Sequence, residues 1–133
     1  MISTELARDL RDAGLVWDPV DGDRFLIPDR DLDDRVFRIS DMVCEVRHTP
    51  AGAAIAFNGT TEWALDAIML REVIWLPHEH QLRERLGNAF AALERDGDHW
   101  HVLVEVHEVR TAYTAPTAAD AYGRALLHHL RPG

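Results

Sequence analysis

Two adjoining segments decide the fold: His99-Trp100-His101-Val102-Leu103-Val104-Glu105-Val106 and Val109-Arg110-Thr111-Ala112-Tyr113-Thr114-Ala115, parted by His107-Glu108. Successive residues of a strand point to opposite faces, so Trp100, Val102, Val104 and Val106 share one apolar face. The second segment pairs with the first as a hairpin and is closed by Pro116, which cannot continue a strand. The face opposite the valines carries His99, His101, Glu105 and His107.

Outward toward the C-terminus, Thr117 is placed to cap a helix whose apolar side is Ala118, Tyr122, Ala125 and Leu126. Toward the N-terminus, Leu82, Leu86, Ala89, Phe90 and Leu93 recur at helical spacing. They predict a helix that starts with Pro77 at its first position and runs to Gly97. Before it, Val73 to Leu76 reads as a buried strand or extended connection, and Thr60 to Leu70 as a short helix capped by Thr60 or Thr61. Three strand-like runs precede that: Val36 to Ser40, Met42 to His48, and Ala53 to Asn58, the last two separated by the turn Thr49-Pro50-Ala51-Gly52. Phe25-Leu26-Ile27 is a short apolar insert in a polar stretch. At the start, Leu6, Leu10 and Ala13 mark a helix from Ser3 to Ala13 that Gly14 stops, with Leu15 set to close on Leu10.

The order is helix, three strands, a short helix, strand, helix, two strands, helix. Strands in consecutive runs point to an α+β domain with a largely antiparallel sheet packed by helices on one face. No repeat, linker or low-complexity tract breaks the chain, so residues 1–133 are expected to form a single domain.

Charge and composition exclude several function classes. The 133 residues carry a net charge of −9, which repels phosphate backbones and anionic lipid; no nucleic acid and no membrane partner is expected. All 14 basic residues are arginine. Without a lysine no phosphate-binding P-loop can be built, and neither glycine-rich nucleotide fingerprint is present. Cys44 is the single cysteine, which fits a reducing compartment. With no signal-peptide pattern and no long apolar run, a cytoplasmic location is expected.

The sites that remain are few. His78-Glu79-His80 falls in a helical first turn, where residues two apart do not share a face. The row His99, His101, Glu105 and His107 can bind a metal, or can serve as the solvent face of the hairpin. Asp29 to Asp34 resembles a calcium loop, but the sixth and twelfth positions hold Asp34 and Ser40 where glycine and glutamate are needed. Cys44 shares a strand face with Met42 and Val46, the setting of an inert buried thiol. Asn58, Thr60, Thr61, Glu62 and Trp63 join a strong turn to a cap, and together with Trp75 and Pro77 they form a candidate interaction surface.

Phe57-Asn58-Gly59-Thr60-Thr61-Glu62-Trp63-Ala64-Leu65-Asp66, Ile74-Trp75-Leu76-Pro77 with Gln81-Leu82-Arg83, and the ending Ala121 to Leu130 resemble a family of small, uncharacterised actinobacterial proteins. The latter half is also similar to small hypothetical phage proteins. Members of the first family often carry the label of pilus-assembly proteins. The pilus-assembly ATPases resemble the MinD type, whose nucleotide site needs a glycine-rich loop and a lysine that this chain lacks. The resemblance implies no established activity, no cofactor and no catalytic residues. The expectation is therefore a non-catalytic cytoplasmic binding or regulatory module acting through protein partners, with an oligomer open. The alternative is a metal-binding protein or metal-dependent enzyme built on the hairpin histidines.

Overall fold

The computed structural model describes residues 1–28, 35–39, 44–50, 52–57, 67–69 and 72–131. The elements are α1 (Thr4–Asp12), β1 (Arg24–Leu26), β2 (Val36–Arg38), β3 (Cys44–Thr49), β4 (Gly52–Phe57), β5 (Ala67–Met69), β6 (Ile74–Leu76), α2 (Glu79–Leu86), β7 (Phe90–Asp96), β8 (His99–Val106), β9 (Val109–Ala115) and α3 (Ala118–Leu130). The fold is α+β, and every strand pairing among the described residues is antiparallel. The strands form three three-stranded sheets, ordered β2-β1-β6, β3-β4-β5 and β7-β8-β9. The chain divides into two compact units: Met1–Leu15 with Pro77–Gly133, and Val16–Leu76.

In the Val16–Leu76 unit, β1 is the centre of its sheet, which pairs Phe25 with Phe37 on one side and Trp75 on the other. Directly opposed residues share a face, so the three rings line up across the strands. Phe25 and Phe37 stack at 5.5 Å between centroids, and Trp17 lies 5.6 Å from Phe25 and 6.2 Å from Trp75. Asp23 anchors this cluster. Its carboxylate, only 1% exposed, accepts the Trp17 indole N–H at 2.8 Å and the Val20 backbone N–H at 3.0 Å. Burial of a carboxylate is tolerated where such donors replace water. The three apolar residues Phe25-Leu26-Ile27 are all buried, and the first two belong to a core strand that a three-residue run is too short to announce.

In the other unit, the meander β7-β8-β9 packs α3 against β8 and β9, and α1 and α2 pack on α3. Ser3 caps α1 with its hydroxyl accepting from Leu6 N–H, and the Leu15 N–H donates to the Leu10 carbonyl as the helix closes. Thr117 caps α3, its hydroxyl accepting from Asp120 N–H at 3.2 Å. Gly123 lies where α3 meets the start of the chain: a Cβ there would stand 2.5 Å from Leu6 Cδ2 and 3.2 Å from Ile2 Cδ1.

Two expected elements differ. The helix from Pro77 to Gly97 is α2 alone, with His78 rather than Pro77 before its first turn; the His78 N–H donates to Gln81 Oε1 at 2.8 Å. Gly87, at φ 58° and ψ −132°, takes a positive-φ conformation open chiefly to glycine, which breaks the helix; a short 3₁₀ turn follows, and Phe90 onward is strand. A bulge at Ala91 explains the misleading period. The register shifts between Phe90 and Ala92, so Phe90 opposes Val104 and Leu93 opposes Val102. One extra residue thus puts positions three apart on the same sheet face, which mimics helical spacing. Second, the expected helix over Thr60–Leu70 falls largely outside the described residues, but Ala67–Met69 within it is strand β5.

Candidate functional site

The two-residue connection His107-Glu108 joins β8 to β9, and both residues have positive φ, 51° and 66°. That is the twist a tight hairpin needs, usually supplied by Asn-Gly. Non-glycine residues in this region cost roughly 1–2 kcal/mol each, a cost that the two-residue turn imposes here. His107 therefore belongs to the turn and not to the strand face on which sequence alternation sets it.

Of the remaining row, His99 and Glu105 are exposed and His101 is half-buried. His101 is already engaged: its Nδ1 shares a 2.7 Å hydrogen bond with Thr114 Oγ1, and its Nε2 lies 3.9 Å from Asp96 Oδ2. Glu105 pairs with Arg110 at 3.6 Å. Among the described residues no three His, Cys, Asp or Glu side chains are grouped to hold a metal ion. His78 and His80 stack on each other at 5.6 Å at the start of α2.

Most of the interaction surface expected around the Asn-Gly turn lies outside the described residues. Asn58, Thr60, Thr61, Glu62 and Trp63 lie outside the described residues, as do Asp29 to Asp34 and Met42; of Cys44 the backbone alone is described. Trp75, expected as an exposed contact residue, is 8% exposed and stacked on Trp17, and Pro77 is buried. Trp75 serves the interior of its own unit, because the short strand β6 is buried at every position.

A different surface emerges at the far end of the meander. The faces of β8 and β9 that look toward α3 carry Val102, Val104 and Val106, then Val109, Thr111 and Tyr113. Near the middle, α3 covers them with Ala121, Tyr122, Ala125 and Leu126, all buried. Near the hairpin tip the helix offers only Ala125, His128 and His129. An open groove of about 260 Å³ remains there, lined by Val104, Val106, Val109, Thr111 and Tyr113 on the sheet side. Val106 is 43% exposed and Val109 64%. The Tyr113 ring lies 5.6 Å from that of His128, and burial pushes its hydroxyl above the ordinary phenol range, so it stays a neutral hydrogen-bonding group.

β9 is also an edge strand: among the described residues it pairs with β8 alone. In a two-residue hairpin the residues flanking the turn form a hydrogen-bonded pair, and the pattern alternates from there. Val109, Thr111, Tyr113 and Ala115 therefore bond to β8, while Arg110, Ala112 and Thr114 turn their N–H and C=O groups outward. The Thr114 carbonyl accepts from the Arg124 guanidinium of α3, which agrees with that alternation.

The groove had a sequence signal. The apolar alternation of the hairpin reaches Val106 and Val109, whereas on the helix side that lines the groove Ala125 is followed by His128 and His129. The strand face outruns its cover. Comparison with protein-family models, with curated proteins and with solved structures found no match. Among the described residues no helix is long and apolar enough to cross a membrane.

Proposed function

We propose that the chain is a non-catalytic cytoplasmic module that works through protein contacts, and that the tip of the β8–β9 hairpin with its groove is the contact surface. One observation carries the reading: Val106 and Val109 stand exposed at the mouth of a groove of mixed valine and polar lining, beside an open strand edge. Apolar side chains grouped in this way mark association sites more often than scattered ones do. An extended segment of a protein fits both halves of the surface, since its backbone can bond to the strand edge while its apolar side chains enter the groove. The reading suits the single cysteine and the acidic, lysine-free composition. The resemblance to small actinobacterial proteins supplies no competing activity.

A photo-crosslinking residue at Val109 tests it, with the same residue at Glu94 as control on the opposite sheet face. Near-native lysate is expected to give one discrete protein adduct from position 109 and none from 94. Val106→Asp should abolish that adduct while leaving the far-ultraviolet spectrum and thermal midpoint nearly unchanged, because Val106 is already half in water. Equal adduct patterns from both positions, or an adduct indifferent to Val106→Asp, would contradict the proposal.

A further inference from the structure

We infer that the protein that adds to β9 is a second copy of this chain, paired antiparallel about a two-fold axis through Ala112. This rests on the reading of the hairpin tip as a contact surface and names its occupant.

The two edges of the meander differ in a telling way. β7 is interrupted by the bulge at Ala91 and ends in Glu94, Arg95 and Asp96, all exposed. Bulges and charges are the devices by which edge strands avoid pairing. β9 has neither a bulge nor an internal proline, and its register against β8 runs unbroken from Val109 to Ala115. It carries one charged residue, Arg110, and no carboxylate, so the acidic excess of the chain does not oppose association along this strand.

The strand is also self-complementary. Its outward groups belong to Arg110, Ala112 and Thr114, symmetric about Ala112. Antiparallel pairing centred there sets Arg110 against Thr114 of the second copy, Ala112 against Ala112, and Thr114 against Arg110. Each of these three pairs exchanges two hydrogen bonds. Shifting the axis to Arg110 puts two guanidinium groups face to face and leaves most of the strand unpaired. Only the Ala112 register uses every outward group, and it keeps both arginines opposite neutral hydroxyls. On the groove side it lays Val109 against Ala115 of the second copy, and Thr111 against Tyr113, which covers the most exposed apolar side chain of the hairpin. The Thr114 carbonyl, already bonded to Arg124, has a second lone pair for the incoming N–H.

Ala112 is exposed, so charge can be placed on the axis without disturbing the fold. Full-length wild-type chain, followed by sedimentation equilibrium over a wide concentration range, should rise from single-chain mass to twice that mass. Ala112→Glu and Ala112→Lys should each stay at single-chain mass, because two like charges meet at the axis. Their equimolar mixture should regain the doubled mass. Single-chain mass for the wild type at every concentration overturns the inference, as does unchanged dimerisation of both variants. A monomer that still yields the Val109 adduct with another protein defeats self-association alone; a monomer with no adduct defeats the contact surface as well.

Discussion

Replacing Phe25 with alanine is expected to remove about 3–5 kcal/mol of stability, the usual cost of emptying a buried aromatic site. Phe25 is fully buried at the centre of its sheet. It touches the rings of Trp17 and Phe37 at 5.6 and 5.5 Å and opposes Trp75 across the β1–β6 pair. Truncation leaves a void bounded by rigid rings, which cannot collapse as a cluster of aliphatic chains would. It also loosens Trp17, whose indole N–H holds the buried Asp23 carboxylate. Domains hold about 5–15 kcal/mol in total, so the variant should lose about a fifth or more of its margin. Urea unfolding followed by tryptophan fluorescence measures it. A loss below about 1 kcal/mol would mean that the rings do not form a packed core. Phe25→Leu, which keeps most of the volume, should cost far less.

The second large effect is at Gly123. A methyl group there sits 2.5 Å from Leu6 Cδ2, closer than real contacts allow, and 3.1 Å from Leu6 Cγ, a tight contact. Alanine raises helix propensity by about 1 kcal/mol, which offsets part of an overpacking cost of about 1–3 kcal/mol. Gly123→Ala is thus expected to be mildly destabilising. Gly123→Val adds bulk on a stiff, β-branched side chain that cannot turn away, and should cost about 3 kcal/mol or more. Combining Gly123→Ala with Leu6→Ala separates this from a general weakening of α3. If the clash is real, the double variant loses less than the sum of the singles. Strict additivity would contradict the close approach of α1 and α3.

What the residues disclosed depends on how local the controlling physics is. α1 was legible because Leu6 and Leu10 recur over two turns between a serine cap and Gly14. The β8–β9 hairpin was legible because the alternation of Val102, Val104 and Val106 is long and uninterrupted. The segment from Phe90 to Asp96 misled because its bulge imitates a helical period, and only its partners in β8 reveal the strand. β1 was hidden by its brevity; pairing on both sides makes Phe25 a strand residue. The site followed the same division. The hairpin face of histidines was visible, but the turn takes His107 away and Thr114 claims His101 across the sheet. Trp75 looked like a contact residue from its chemistry, and the stack with Trp17, a long way off in sequence, places it inside. The groove arises from a mismatch in length between a strand face and the helix covering it, which appears only when the two patterns are laid side by side.

Residue-resolved amide hydrogen exchange along β9 tests the central claim, that this strand presents an open edge used for association. In dilute protein the amides of Thr111 and Tyr113, bonded to β8, should exchange slowly, while those of Arg110, Ala112 and Thr114 exchange at nearly unprotected rates. Raising the protein concentration should then protect the outward set selectively. Uniform protection along β9 at concentrations where the chain sediments at single-chain mass would contradict the claim, because the edge would already be covered by the chain itself.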